Sequence, residues 1–177
     1  MQSLCLGARY LSGMVRKKTP DRIFCGIDPG KSGALVFIGE DLDVRLVVEK
    51  MPWVNERIDS RALYQLFASA GGDVHVICEK VHSMPRDSSK SAFTFGGAYH
   101  GLLSVVDLFD YPLGLVAPQT WKKVMLRDRG KEKKDSVNAA RDLFPALRTH
   151  LKTLSTHGTA EAALIAAYGV RLWKQEK

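Results

Sequence analysis

The chain has 177 residues, of which 45% are hydrophobic and 25% charged, with a formal net charge of +7. That length suits one domain with a full core, the composition is that of an ordinary globular protein, and no apolar run approaches the roughly 20 residues that span a bilayer. A disordered chain, a collagen-like chain and a membrane-embedded chain are excluded, and a soluble protein without a membrane partner is expected.

The charge is uneven. Residues 118–177 carry 13 basic against 6 acidic side chains, whereas residues 1–117 carry 13 of each, so the whole excess lies in the last third. Such a field favours a polyanion through attraction and counterion release, although charge alone also fits a solvated face. Cys5, Cys25 and Cys78 are odd in number and lack CxxC spacing, which argues against a disulfide framework or a zinc site. A reducing cell interior is the compartment that follows.

In chain order, residues 1–21 form a basic leader with little periodicity, expected to be flexible, ahead of a domain over 22–177. Ile23–Ile27 is a β-rich run that ends at Asp28, and Ala34–Ile38 and Val44–Val48 follow after short polar turns, which predicts three hairpin-connected strands. A helix is predicted over Arg61–Ala70, stopped by Gly71 and Gly72. Val74–Cys78 is a continuous apolar run of the kind buried on both faces of a sheet. The serine- and proline-containing stretch Ser83–Ser91 reads as a loop, followed by a helix over Ala92–Leu108 and a fifth strand over Leu113–Ala117. Helices are then predicted over Thr120–Leu126, Lys134–Phe144 and Thr159–Lys174. Hairpins first and crossovers later imply an α/β fold, a mixed five-stranded sheet flanked by helices.

Asp28 and Glu79 each stand where a buried strand ends, so neighbouring strands would bring them together. Glu161 interrupts an almost wholly small and apolar helix, A-E-A-A-L-I-A-A-Y-G, and His157 lies one turn earlier. An unpaired carboxylate buried there would be costly, so it either reaches a site or faces water. Each acid taken singly reads as a surface residue. Three acids that each close or interrupt an apolar element favour a shared divalent cation, for which carboxylate oxygens are the preferred ligands.

Several segments together resemble the RuvC-type junction resolvases, particularly their phage and organellar branches. G-I-D-P-G-K-S-G-A-L-V is similar to the first strand and turn with its catalytic aspartate, here Asp28, and I-C-E-K-V-H is similar to the segment with the glutamate, here Glu79. S-A-F-T-F-G-G-A-Y-H-G-L-L resembles the glycine-aromatic helix that follows. V-A-P-Q-T-W-K-K and K-K-D-S-V-N-A-A-R-D-L-F-P resemble basic segments, and H-G-T-A-E-A-A-L-I-A-A-Y-G resembles the C-terminal acidic helix. The resemblance spans about residues 22–172. It departs from the family at His157, where an acid is common, and at Glu161, where aspartate is frequent.

The resemblance implies an RNase H-like fold and a structure-selective DNA endonuclease that resolves four-way (Holliday) junctions by two-metal hydrolysis, with two Mg2+ ions per site and Mn2+ able to substitute. It implies Asp28, Glu79, His157 and Glu161 as catalytic metal ligands. Lys122 and Lys134 would contact phosphates, while Lys80 and Met84 lie on the loop that would enter the junction centre. A homodimer is expected, with the aromatic-rich helix Phe93–Leu108 as its candidate interface. An RNase H-like nuclease for flaps or hybrids, and a junction-binding protein without activity, share most of these features. The G-x-D-x-G motif also occurs in actin-like ATPases, which usually need two such domains where this chain has room for one.

Overall fold

The structure, a computed structural model, describes residues 21–81 and 88–177. Residues 1–20 of the leader expected over 1–21, and the loop residue Met84, lie outside the described residues.

Five strands form one mixed sheet: β1 (Arg22–Asp28), β2 (Ala34–Gly39), β3 (Val44–Val48), β6 (Asp73–Glu79) and β7 (Leu113–Val116), in the order β3-β2-β1-β6-β7. β1 pairs antiparallel with β2, and β2 with β3, while β1–β6 and β6–β7 are parallel. A separate hairpin, β4 (Trp53–Val54) and β5 (Arg57–Ile58), turns through Asn55 and Glu56 at φ 46° and 62°. The sequence reading did not anticipate it, because two-residue strands have no periodicity and the turn lacks the glycine that usually announces one.

Local chemistry explains where the helices begin. The Asp59 carboxylate accepts from the N–H groups of Arg61 and Ala62 and starts α1 (Ser60–Ala70), which Gly71 and Gly72 end at positive φ. Ser88 caps α2 (Ser89–Leu108) by accepting from Ser91, so this helix starts three residues before the expected Ala92. Pro118 opens α3 (Pro118–Met125), and a reciprocal Glu132–Asp135 capping box opens α4 (Lys133–Leu143). A connector anchored by buried Leu147 and Leu151 leads to α5 (His157–Gln175).

The strand pleat assigns each residue to a face. Ile23, Cys25 and Ile27 of β1, with Val74, Val76 and Cys78 of β6, pack with α1 and α2. Phe24 and Ile77 point the other way, into the core built with α3, α4 and α5. Asp28 and Glu79 continue that second set at two-residue spacing, so both carboxylates face the layer that contains α5.

α5 rests directly on this face. A Cβ at Gly26 would collide with the carbonyl of Ala162 and the backbone of Ala166, and one at Gly169 would collide with Ile77. On the opposite side, α2 leaves a surface open: Gly96, Gly97 and Gly101 have nothing near the position of a Cβ, and Phe93 is 86% exposed.

Gly26→Ala forces a methyl group into backbone atoms of α5 that cannot step aside. We expect a loss of roughly 1–3 kcal/mol, typical of an overpacked core, read as a lower midpoint in urea unfolding. A midpoint equal to that of the unaltered chain would mean that α5 stands further from β1.

Candidate active site

Ile27 and Cys78 are Cα partners in the parallel β1–β6 ladder, so Asp28 and Glu79 are neighbours one step further on. Adjacent strands lie about 4.8 Å apart, and both acids therefore emerge side by side at the C-terminal edge of the sheet. The turn after Asp28 holds its carboxylate: the Gly30 N–H donates to Asp28 Oδ1 at 3.3 Å, and the Gly33 N–H closes the turn on Gly30 O at 2.8 Å. Gly33 has no alternative here, because a Cβ would strike the carbonyl of Asp28. Glu161, on the second turn of α5, is 9% exposed and joins the two strand acids from above the sheet.

Each glutamate has a specific partner from α3 or α4. The indole Nε1 of fully buried Trp121 donates to Glu79 Oε2 at 2.7 Å. Glu161 Oε1 accepts from Ser136 Oγ at 3.1 Å and lies 2.9 Å from Lys122 Nζ. Consecutive residues of α3 thus reach two different carboxylates. Ser136 is itself completely buried, which explains why a polar side chain is tolerated in the α4–α5 contact.

The three acids share one electrostatic neighbourhood. Burial, then the charge of Glu161, pushes Asp28 up to about 6, against the opposing effects of the Gly30 N–H, Lys122 and Lys133. Glu79 is also raised, first by burial and then by the charges of Asp28 and Glu161, although the Trp121 hydrogen bond and Lys122 favour its ionised form. The raised proton affinity of Asp28 and Glu79 marks a pocket with an excess of negative charge, which a hard divalent cation relieves. Among the described residues no group of three or more acidic, histidine or cysteine side chains is arranged, as it stands, to hold a metal ion. An open set of carboxylates suits magnesium, which takes one or two from the protein and keeps water and substrate phosphate as its other ligands. In donor type, carboxylate oxygen, the three acids match what magnesium prefers.

The remaining sequence-derived positions are placed differently. The His157 ring Nδ1 lies 3.2 Å from Leu154 O, on the connector, and the structure gives it no contact with the acids. The residue against Asp28 is its neighbour Gly158, where a Cβ would sit 3.2 Å from Asp28 Oδ2 and collide with the Ser32 carbonyl. The Lys134 ammonium is drawn to Glu132 at 3.0 Å, while it is the charge of Lys133 that reaches Asp28. Lys80 is exposed directly after Glu79. Trp121, Ser136, Lys133 and Gly158 escaped the sequence reading, and the one signal for Trp121 was its position beside Lys122 in W-K-K.

Because the folded-state value of Asp28 lies above its ordinary 3.8, its contribution to stability is fully present below pH 4 and is lost as pH rises through about 6. Asp28→Asn in chelator-treated protein should therefore be more stable than the unaltered chain at pH 7–8, by up to about 3 kcal/mol, with the advantage vanishing near pH 4. Denaturant unfolding at several pH values measures it, and parallel curves from pH 4 to 7 would refute the burial of this charge.

No family model matches the sequence, and no curated protein matches it. Solved structures do. The chain is similar to the Thermus thermophilus RuvC protein in complex with a Holliday junction substrate, at TM-score 0.63 and 16% identity, over 85% of this chain and 96% of that one. A second Thermus thermophilus RuvC structure matches at TM-score 0.56 and 15% identity, over 85% and 96%. The yeast mitochondrial Holliday junction resolvase Ydc2 matches at TM-score 0.56 and 14% identity, over 90% of this chain and 82% of that one. The five-stranded mixed sheet with its flanking helices is thus a RuvC-like version of the RNase H-like fold.

Proposed function

We propose that this protein is a structure-selective DNA endonuclease that cuts four-way junctions by metal-dependent phosphodiester hydrolysis. The observation that carries the reading is the pocket of three carboxylates, from the ends of β1 and β6 and from α5, in a RuvC-like fold whose basic excess lies in the segments around that pocket. The similarity to a structure that contains a Holliday junction supports DNA branches as the substrate class.

Asp28, Glu79 and Glu161 would hold the divalent cations, two Mg2+ per site with Mn2+ as a substitute. When bound, such ions supply an activated water and stabilise the departing oxygen. His157 would join them only by turning away from Leu154 O. Trp121 keeps Glu79 oriented by donating to Oε2, leaving its other oxygen available, and Ser136 does the same for Glu161. Lys122, set against Glu161, supplies the positive charge that a backbone phosphate would meet beside the acids, with Lys133 behind it. Lys134, Lys80 and Met84 are assigned more peripheral DNA contacts. No helix among the described residues is long and apolar enough to cross a membrane, and we assign the activity to a DNA-containing cell interior or organelle.

The test compares cleavage of four-way junction, flap, linear duplex and RNA–DNA hybrid with Mg2+. Junction cutting should dominate, and Asp28→Asn should lower it roughly 100-fold or more, the rate equivalent of losing several kcal/mol of charge stabilisation, while junction binding persists. Cutting of every substrate at one rate would remove the junction assignment. Binding without cutting, whatever the ion, would leave a junction-binding protein.

A four-way junction offers two equivalent strands, which a twofold dimer engages symmetrically. We assign the interface to the open glycine-lined face of α2, where Phe93 and Leu108 are exposed. Light scattering should give a mass of twice 19.6 kDa that Phe93→Asp shifts toward the monomer; a monomer at assay concentration contradicts the assignment.

A further inference from the structure

We infer that the outer side of α3 and the C-terminal half of α5 form a second DNA site, which binds the phosphate backbone of a duplex arm away from the carboxylates. This rests on the nucleic-acid reading of the active site and assigns a place to the unexplained part of the positive charge.

α3 has two working sides. Trp121 and Lys122 turn toward Glu79 and Glu161, whereas Gln119, Thr120 and Lys123 face the other side, and Arg127, in the turn that follows the helix, lines the same groove. Across from them stands Arg171 of α5, and the space between is an open groove of about 620 Å³ floored by Val124. All three cations are exposed.

Pairing separates these cations from their neighbours. Lys122, Arg129 and Lys134 are engaged by Glu161, Asp142 and Glu132. Among the described residues, Lys123, Arg127 and Arg171 form no ion pair. Three cations that face one groove repel one another unless an anion joins them, so the groove is complementary to a row of negative charges.

Its shape selects the type of anion. No aromatic side chain lines the groove, so it offers no platform for unstacked bases, and its donors suit phosphate oxygens. Three cations on one open groove can each meet one phosphate of a DNA strand, so the contact covers two or three phosphates. Arg171 is ten residues beyond Glu161, about 15 Å along α5, which puts the contact on the arm rather than at the cleavage point.

The experiment measures binding of a long-armed and a short-armed four-way junction in chelator, across salt concentrations. The triple variant Lys123→Ala, Arg127→Ala, Arg171→Ala should weaken binding of the long-armed junction about tenfold or more and reduce its log–log salt slope by about 2–3, because each lost phosphate contact removes about 0.9. Short-armed junctions should lose less. The charge-conserving variant Lys123→Arg, Arg127→Lys, Arg171→Lys should keep the original slope. An unchanged slope in the alanine variant overturns the site, as does an equal loss in the charge-conserving one. If the unaltered protein binds no branched DNA at all, it is the proposed function that fails.

Discussion

The distance between α5 and β1 governs the rest of the molecule. Gly26 and Gly158 carry no side chain at the two points where the helix meets the sheet and its first turn, and Ala162 and Ala166 complete the contact. Larger residues would lift the helix and take Glu161 away from the strand acids. Contact at this range removes the carboxylates from water, which raises the proton affinity of Asp28 and Glu79. The cost of burying charge is offset by the apolar packing of α5 along almost its whole length, where residues Gly158 to Val170 are buried.

α3 links the acids to the surface. Trp121 is core and hydrogen-bond donor at once, Lys122 is the cation nearest Glu161, and the next residue already belongs to the outer groove. This short helix follows β7, whose Val116 pairs with Glu79, so chain connectivity brings it to the same edge of the sheet. The outer groove and the carboxylate pocket are therefore mechanically adjacent, and displacement of α3 would disturb two carboxylates together.

Periodicity made the positions of Asp28 and Glu79 legible, since both close buried strands that pair in the sheet, although each acid taken singly reads as a surface residue. Glu161 stood out because its helix is too apolar to bury an unpaired carboxylate, which left a site or water as its surroundings, and the structure buries it against Ser136 and Lys122. What could not be read was phase and tertiary donation. Successive helical residues point about 100° apart, so one position decides whether His157 or Gly158 meets Asp28, and likewise whether Lys133 or Lys134 acts on it. Trp121 reaches Glu79 across 42 residues, and no local pattern announces such a bond. The start of α2 was displaced for a simpler reason, because Ser88 is a cap and the serines after it read as loop.

The bond from Trp121 to Glu79 gives the protein an internal optical gauge. An indole's emission responds to the charge beside its nitrogen, and here that charge belongs to a carboxylate of the candidate site. Trp121 is wholly shielded from solvent, whereas Trp53 and Trp173 are only partly buried, so a quencher in solution would suppress the other two first. Neutralising Glu79, by a proton or by a cation, would register in the remaining emission without any attached dye.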